Sequence, residues 1–170
     1  MHYPHSRYHS NWSEQMTGKI DSRIKELGHI LPEASAPVAN YVPYAISGSL
    51  VFISGQLPLQ DGKLPCSGAV GADVSIEEAV GAAQQCALNI LAQLKAACGG
   101  DLDRVKRIVK LGGFVASGAE FTDHPIVING ASDLMVSVFE DAGRHARAAV
   151  GCPSLPLDAP VEIEAVIEID

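Results

Sequence analysis

The sequence predicts an α+β domain, a two-layer sandwich with two helices on one face of a mixed sheet of five to six strands. Three observations carry this expectation. The stretch "PVEIEAVIEID", residues 160–170, alternates strictly, as a half-buried strand does. Val161, Ile163, Ala165, Ile167 and Ile169 fall on one side; Glu162, Glu164, Glu168 and Asp170 fall on the other, interrupted only by Val166. Residues 75–98 carry a helix start signal, a long apolar stripe and a stop signal. Only two long helical patterns lie among the strand-like runs, and two helices cannot cover both faces of so wide a sheet. The uncovered face, which carries the glutamates, is then solvated or buried by another subunit.

Taken in order, residues 1–16 are polar, rich in His and Tyr, and without the apolar core of a secretory signal. His2, His5 and His9 invite a metal reading, but Pro4 interrupts any helical arrangement and no carboxylate or thiol joins them. The stretch is expected to be a disordered tail, which leaves 17–170 as one domain. Ile20, Ile24, Leu27 and Ile30 recur at helical spacing and predict a short amino-terminal helix ended by Gly28. "LPEASAPVANYVP" reads as a loop. "YAISGS" and "LVFISGQLPL" read as two strands around a turn at Gly48 and Ser49, and "QDGKLP" as a further hairpin-like turn.

Ser75-Ile76-Glu77-Glu78 fits the capping box, with a hydroxyl at the N-cap and a carboxylate three residues on. Ile76, Val80, Ala83, Ala87, Ile90, Leu91, Leu94 and Cys98 then mark one helical face, and Gly99 and Gly100 stop it. "RVKRIVKLGGFVAS" reads as a strand. Asp123 and His124 fall in the loop that follows it. "INGASDLMVSVFEDAG" predicts the second helix, with Ala131, Leu134, Met135, Val138 and Phe139 inward and Gly143 as its stop. "HARAAVGC" and "PVEIEAVIEI" close the chain as strands around the Pro-punctuated loop "CPSLPLDAP".

Composition narrows the function classes. With 12 Lys and Arg against 20 Asp and Glu, the net charge of −8 gives no footprint for nucleic acid or an anionic membrane. No apolar stretch is long enough to cross a bilayer. Cys66, Cys86, Cys98 and Cys152 match neither a metal knuckle nor a CxxC pair. They read as free thiols of a reducing, cytoplasmic compartment, and no metal site is expected.

Arg147, in "HARAAVGC", is flanked by small and apolar residues, where a guanidinium needs an anion. Two readings stand side by side. One is a structural cross-strand pair with a glutamate of the next strand. The other is a planar fork offered to a substrate carboxylate. His145 shares the face of Arg147 by parity, although a surface or helix-end role also fits it.

"NYVPYAISGSLVFISGQLPLQDGKL", followed by "HARAAV" and "SLPLDAPVEIEAV" in this order and spacing, resembles the RidA (YjgF/YER057c/UK114) family. The likeness runs from about residue 36 to the end. With its short amino-terminal helix and the "VINGASDL" motif, the chain is most similar to a divergent branch. The resemblance implies a chorismate-mutase-like fold, a homotrimer with inward-facing sheets, and active sites in the clefts between subunits. It implies hydrolytic deamination of 2-imino acids and enamines to 2-keto acids and ammonia, with no cofactor.

By the same resemblance, Arg147 binds the substrate carboxylate and Glu162 positions the attacking water. Tyr44, the backbone of Ser54 and Gly55, and Asn129, placed before the second helix, line the pocket. Ala149, also placed at the substrate, stands where active imine deaminases often carry a cysteine; if only the backbone there touches substrate, nothing is lost. Glu164 and Glu168 are expected to be solvated or paired with a neighbouring subunit. Two alternatives remain: a trimer of the same fold that binds small carboxylates without turnover, and the endoribonuclease activity attributed to some family members, which the acidic charge fits poorly.

Overall fold

The computed structural model describes residues 18–35 and 40–170; the tail expected over 1–16 lies outside them. A short helix, α1 (Lys19–Glu26), precedes a hairpin of β1 (Tyr44–Ser47) and β2 (Leu50–Gln56). A long helix α2 (Ile76–Ala97), strand β3 (Val105–Ala116), helix α3 (His124–Phe139), and strands β4 (Ala146–Cys152) and β5 (Val161–Ile169) follow. The five strands form one mixed sheet in the order β1-β2-β5-β3-β4. Only the β3–β4 pair is parallel.

The topology explains why both helices share a face. Strand β5 is antiparallel to both β2 and β3, so those two run parallel with β5 inserted between them. Helix α2 joins β2 to β3, and α3 joins β3 to β4. Two right-handed crossovers stepping the same way across a sheet must lie on the same side of it. The inward residues of β5, namely Val161, Ile163, Ala165, Ile167 and Ile169, are all buried against these helices.

The local signals in the sequence act as expected in α2. Ser75 Oγ accepts from the Glu78 amide at 3.2 Å, and the Glu78 carboxylate accepts from the Ser75 amide at 2.9 Å. Ser75 Oγ also donates to the Glu78 carboxylate at 2.7 Å, and this bond, followed by the one from the Ser75 amide, holds the Glu78 carboxyl below its usual range. Gly99 and Gly100, at φ of 67° and 96°, end the helix in a conformation that other residues resist. Gly48 at φ 61° turns the β1–β2 hairpin in the same way.

Helix α1 is held from a distance. The side chain of Asp103, in the turn before β3, accepts from the amides of Lys19 at 2.9 Å and Ile20 at 2.8 Å, capping a helix 83 residues away in sequence. Lys95 adds an ion pair to Asp21 at 2.8 Å. Ile24 is buried as its spacing predicts, but Ile30 is 89% exposed. Gly28, at φ 82°, turns the chain outward and takes Ile30 off the helical face.

Helix α3 differs from the sequence expectation at both ends. It begins four residues earlier than the "INGASDL" pattern implies, so His124 opens its first turn and does not sit in a loop. Pro125 is compatible with that first turn because an N-terminal amide has no helical partner. The ring of His124 packs edge-on to Phe121, and its Nε2 lies 3.1 Å from Ser117 Oγ. At the other end the helix stops at Phe139, and a 3-10 turn from Glu140 to Gly143 carries the chain to the Gly143 stop. Asn129 therefore lies inside α3, in its second turn, and not before it.

Candidate functional site

Each strand offers two faces, and the register assigns every candidate residue to one of them. Arg147 pairs with Leu111, which is fully buried beneath the helices. Arg147 thus projects on the helix-covered side, from the edge strand β4, and its side chain reaches the rim. The cross-strand pairing with a glutamate is excluded: β4 neighbours β3 and not β5. Instead Arg147 Nη1 donates to Asn129 Oδ1 at 2.7 Å and to Ser132 Oγ at 3.1 Å, both on α3. Residues 129 and 132 are one turn apart, which places them on the same face of the helix.

The network continues. Ser132 Oγ lies 3.0 Å from His145 Nε2, and His145 Nδ1 lies 2.6 Å from the carbonyl of Gly143. Two residues on β4 from Arg147, Ala149 packs against the core on the same side. Its register partner Gly113 faces α3 so closely that a Cβ there would come within 2.6 Å of Ile128. A glycine at 113 is what lets α3 approach and brings Asn129 and Ser132 over Arg147.

Glu162 stands on the other face. It pairs with Phe114, which in turn pairs with Val150, and this row lies on the open side of the sheet. Its carboxylate rests over Gly55 of β2; a Cβ at 55 would overlap it and come within 3.1 Å of its Cγ. Glu164 rests over Gly112 of β3, where a Cβ would meet its Oε1 at 2.7 Å. Two glycines thus make room for two glutamates. Half-burial pushes the Glu162 carboxyl above its usual range, and the neighbouring Glu164 charge adds to the rise. Among the described residues neither glutamate has an ion-pair partner.

Ser54 and Gly55 form a bulge: β2 pairs Ile53 with Ala165 and then Gln56 with Ile163, so two residues oppose Glu164 alone. The bulge is pinned by Ser54, whose amide donates to Pro43 O at 3.0 Å and whose Oγ donates to Val42 O at 2.8 Å. Tyr44, half-buried, packs against the core from β1, on the helix side of the sheet. Glu164 is exposed and Glu168 half-buried, the latter paired in register with Arg107.

Within one chain, then, the candidate residues fall into two groups. Arg147, Asn129 and Ala149 gather where β4 meets α3; Glu162, Ser54 and Gly55 gather where β2 meets β5 on the open face. Strand β3 and the thickness of the sheet separate them.

The sequence reading missed Ser132 and the relay to His145; the signal was the i, i+3 spacing of Asn129 and Ser132. It also missed an amide stripe on α2. Asn89 holds the carbonyls of Leu57 and Leu59 at 2.8 and 3.0 Å, and buried Gln93 holds Ser35 O at 2.9 Å. All four cysteines are free, with Cys86 and Cys98 buried. Among the described residues no three His, Cys, Asp or Glu side chains are grouped to hold a metal ion, and no helix is long and apolar enough to cross a membrane.

Comparison with known proteins agrees with this architecture. A protein from Trypanosoma cruzi, TCP17, is 48% identical over 155 residues, covering 91% of this chain and 96% of that protein. The crystal structure of Atu1372 from Agrobacterium tumefaciens, a protein of unknown function, superposes with a TM-score of 0.84 at 56% identity, covering 89% of this chain and 92% of that one. A Shewanella oneidensis MR-1 structure described as an endoribonuclease by prediction superposes with a TM-score of 0.85 at 39% identity, covering 88% of this chain and 99% of that one. Residues 21–168 match the family described as "YjgF/chorismate_mutase-like, putative endoribonuclease". With that match spanning nearly the whole described chain, and with the sheet order and one-sided helices seen here, the protein belongs to the YjgF (RidA) family.

Proposed function

We propose that the protein hydrolyses 2-imino acids to 2-keto acids and ammonia, at a site assembled from two copies of the chain. The observation that carries this reading is the complementarity of the two half-sites. Arg147 is a guanidinium held at Nη1 by two hydrogen bonds, with no partner among the described residues at Nε or Nη2. Glu162 is a half-desolvated carboxylate without a cation, its pKa raised toward the range where a base works best. One copy would supply Arg147, Asn129 and the backbone at Ala149. The neighbour would supply Glu162 with Ser54 and Gly55, and Tyr44 would line the pocket or close it.

A homotrimer fits this arrangement. The open face that carries Glu162 also exposes Phe52 at 44% and Val150 at 46%, apolar surface that a second subunit would bury. In the reaction, Arg147 fixes the substrate carboxylate and so sets the imine carbon against a water. Glu162 takes a proton from that water as its oxygen bonds to carbon. The C=N electron pair moves to nitrogen, which takes that proton from Glu162 and so returns the carboxylate. Glu162 then carries the hydroxyl proton of the carbinolamine to nitrogen; the C–N bond breaks, C=O forms and ammonia leaves. The imine is electrophilic enough that these steps draw on side chains and water alone.

A second reading, a carboxylate-binding trimer without turnover, is favoured by the separation of Arg147 from Glu162 within one chain. The endoribonuclease description of the family meets the net charge of −8, which opposes RNA binding. The deciding experiment supplies 2-iminopropanoate freshly from an amino-acid oxidase and follows its loss by semicarbazide trapping. Acceleration that falls by about a hundredfold in Arg147→Ala is expected from removal of a charge-assisted clamp. Binding of 2-keto acids without acceleration of any small or branched imine would move the assignment to the binding module.

A further inference from the structure

We propose that Ser132 and His145 are positioning residues for Arg147, and that they fix which edge of its guanidinium meets the substrate. The inference rests on the reading of Arg147 as a carboxylate clamp, and deepens it. Nη1 carries two hydrogens. One goes to Asn129 Oδ1 at 2.7 Å and the other to Ser132 Oγ at 3.1 Å, which uses that nitrogen completely. A bidentate bond to a carboxylate across the Nη1 and Nη2 ends is then closed. The edge left is Nε with Nη2, two parallel N–H bonds that fit both oxygens of one carboxylate.

Ser132 can serve Arg147 only as an acceptor, so its own proton must go elsewhere. His145 takes it. The carbonyl of Gly143 can only accept, so the 2.6 Å contact puts the imidazole proton on Nδ1. In the neutral ring this leaves Nε2 bare, 3.0 Å from Ser132 Oγ, as acceptor of the serine hydroxyl. Donation therefore runs one way, from Arg147 through Ser132 and His145 to the Gly143 carbonyl. The last link is rigid: a Cβ at Gly143 would collide with the backbone carbonyl of Met135, so the turn sits directly on α3. The relay joins α3, the 140–143 turn and β4, the three elements that meet around Arg147.

The test uses the full-length protein and pyruvate as probe, with binding followed by calorimetry and the His145 tautomer by nitrogen NMR. Ser132→Ala is expected to weaken pyruvate binding about tenfold, the low end of the loss of one hydrogen bond to a charged group. Ser132→Thr, which keeps the hydroxyl, is expected to bind within about twofold of wild type, and its rescue separates positioning from packing. His145→Phe should weaken binding as Ser132→Ala does, and the double variant should be no weaker than either, because the two act through one chain. Equal pyruvate binding by wild type and Ser132→Ala would overturn the inference, as would an Nε2-protonated tautomer of His145. Pyruvate binding that is undetectable in wild type, or unchanged in Arg147→Ala, would instead overturn the clamp itself.

Discussion

The two half-sites are built on opposite principles. Around Arg147 one end of the guanidinium is paired: Nη1, an amide, a hydroxyl and an imidazole form a chain that ends on a backbone carbonyl. Around Glu162 they are not. Two carboxylates lie over glycines, Glu162 half out of water and Glu164 exposed, with no cation among the described residues. The first region is preorganised within one chain. The second holds an unfavourable electrostatic arrangement that a partner subunit and a cationic or proton-bearing ligand would relieve. On the proposed reading, the cost of holding Glu162 half-buried would be offset when the two groups meet across copies of the chain.

The comparison is broken most sharply at Glu162. Glu162→Gln should lower kcat for imine hydrolysis by about 10²- to 10⁴-fold, the usual weight of a general base, while raising Tm. The sign follows from linkage. A carboxyl whose folded pKa lies above its unfolded value is destabilising when ionised, and that cost fades as pH falls through the folded pKa. A thermal melt in which the Gln variant is less stable than wild type at neutral pH would contradict this account.

Next in size is the effect of the two glycines. Gly113→Ala pushes a methyl into buried Ile128 and should cost about 1–3 kcal/mol in denaturant unfolding. Gly55→Ala meets only the movable end of Glu162 and its Cγ, so it should spare the fold and reduce turnover. Equal loss of stability in both variants would erase the distinction between a packing glycine and a site glycine.

A finer effect is expected at Glu164. Its charge contributes to the raised pKa of Glu162, second to burial. The rise of kcat/KM with pH should therefore have a midpoint above the ordinary carboxylate range. Glu164→Gln should move that midpoint to lower pH, and an unmoved limb would show the two carboxylates to be uncoupled. The smallest effect is remote from both half-sites. The amides of Ile20 and then Lys19 hold the Asp103 carboxyl below its usual range, so it supports α1 at neutral pH and loses that role as pH falls through its lowered pKa. Asp103→Ala should loosen α1, seen as faster amide exchange at Lys19 and Ile20, with deamination unchanged.

Much of this was legible in the chain because the relevant physics is local. The alternation of β5, the capping box at Ser75 and Glu78, the Gly99-Gly100 stop and the Gly48 turn each depend on neighbours a few residues away, and each was found where the pattern placed it. The inward positions of α3 were equally readable. Its start at His124 was not, because Pro125 reads as a loop signal unless the residue is known to lie in the first turn. Asn129 was misplaced for the same reason.

What the sequence by itself determined is the set of elements, their buried faces and the residue types that mark Arg147 and Glu162 as chemically unusual. The tertiary structure decided their relation. Inserting β5 between β2 and β3 is a long-range choice that no local pattern encodes, and it keeps Arg147 from any glutamate of β5. It also gives the two residues opposite faces, so that Arg147 finds its partners on α3 while Glu162 is left over Gly55. Period-2 parity fixes a side chain's face within its own strand; which face belongs to which neighbour is set only when the strands have found their order.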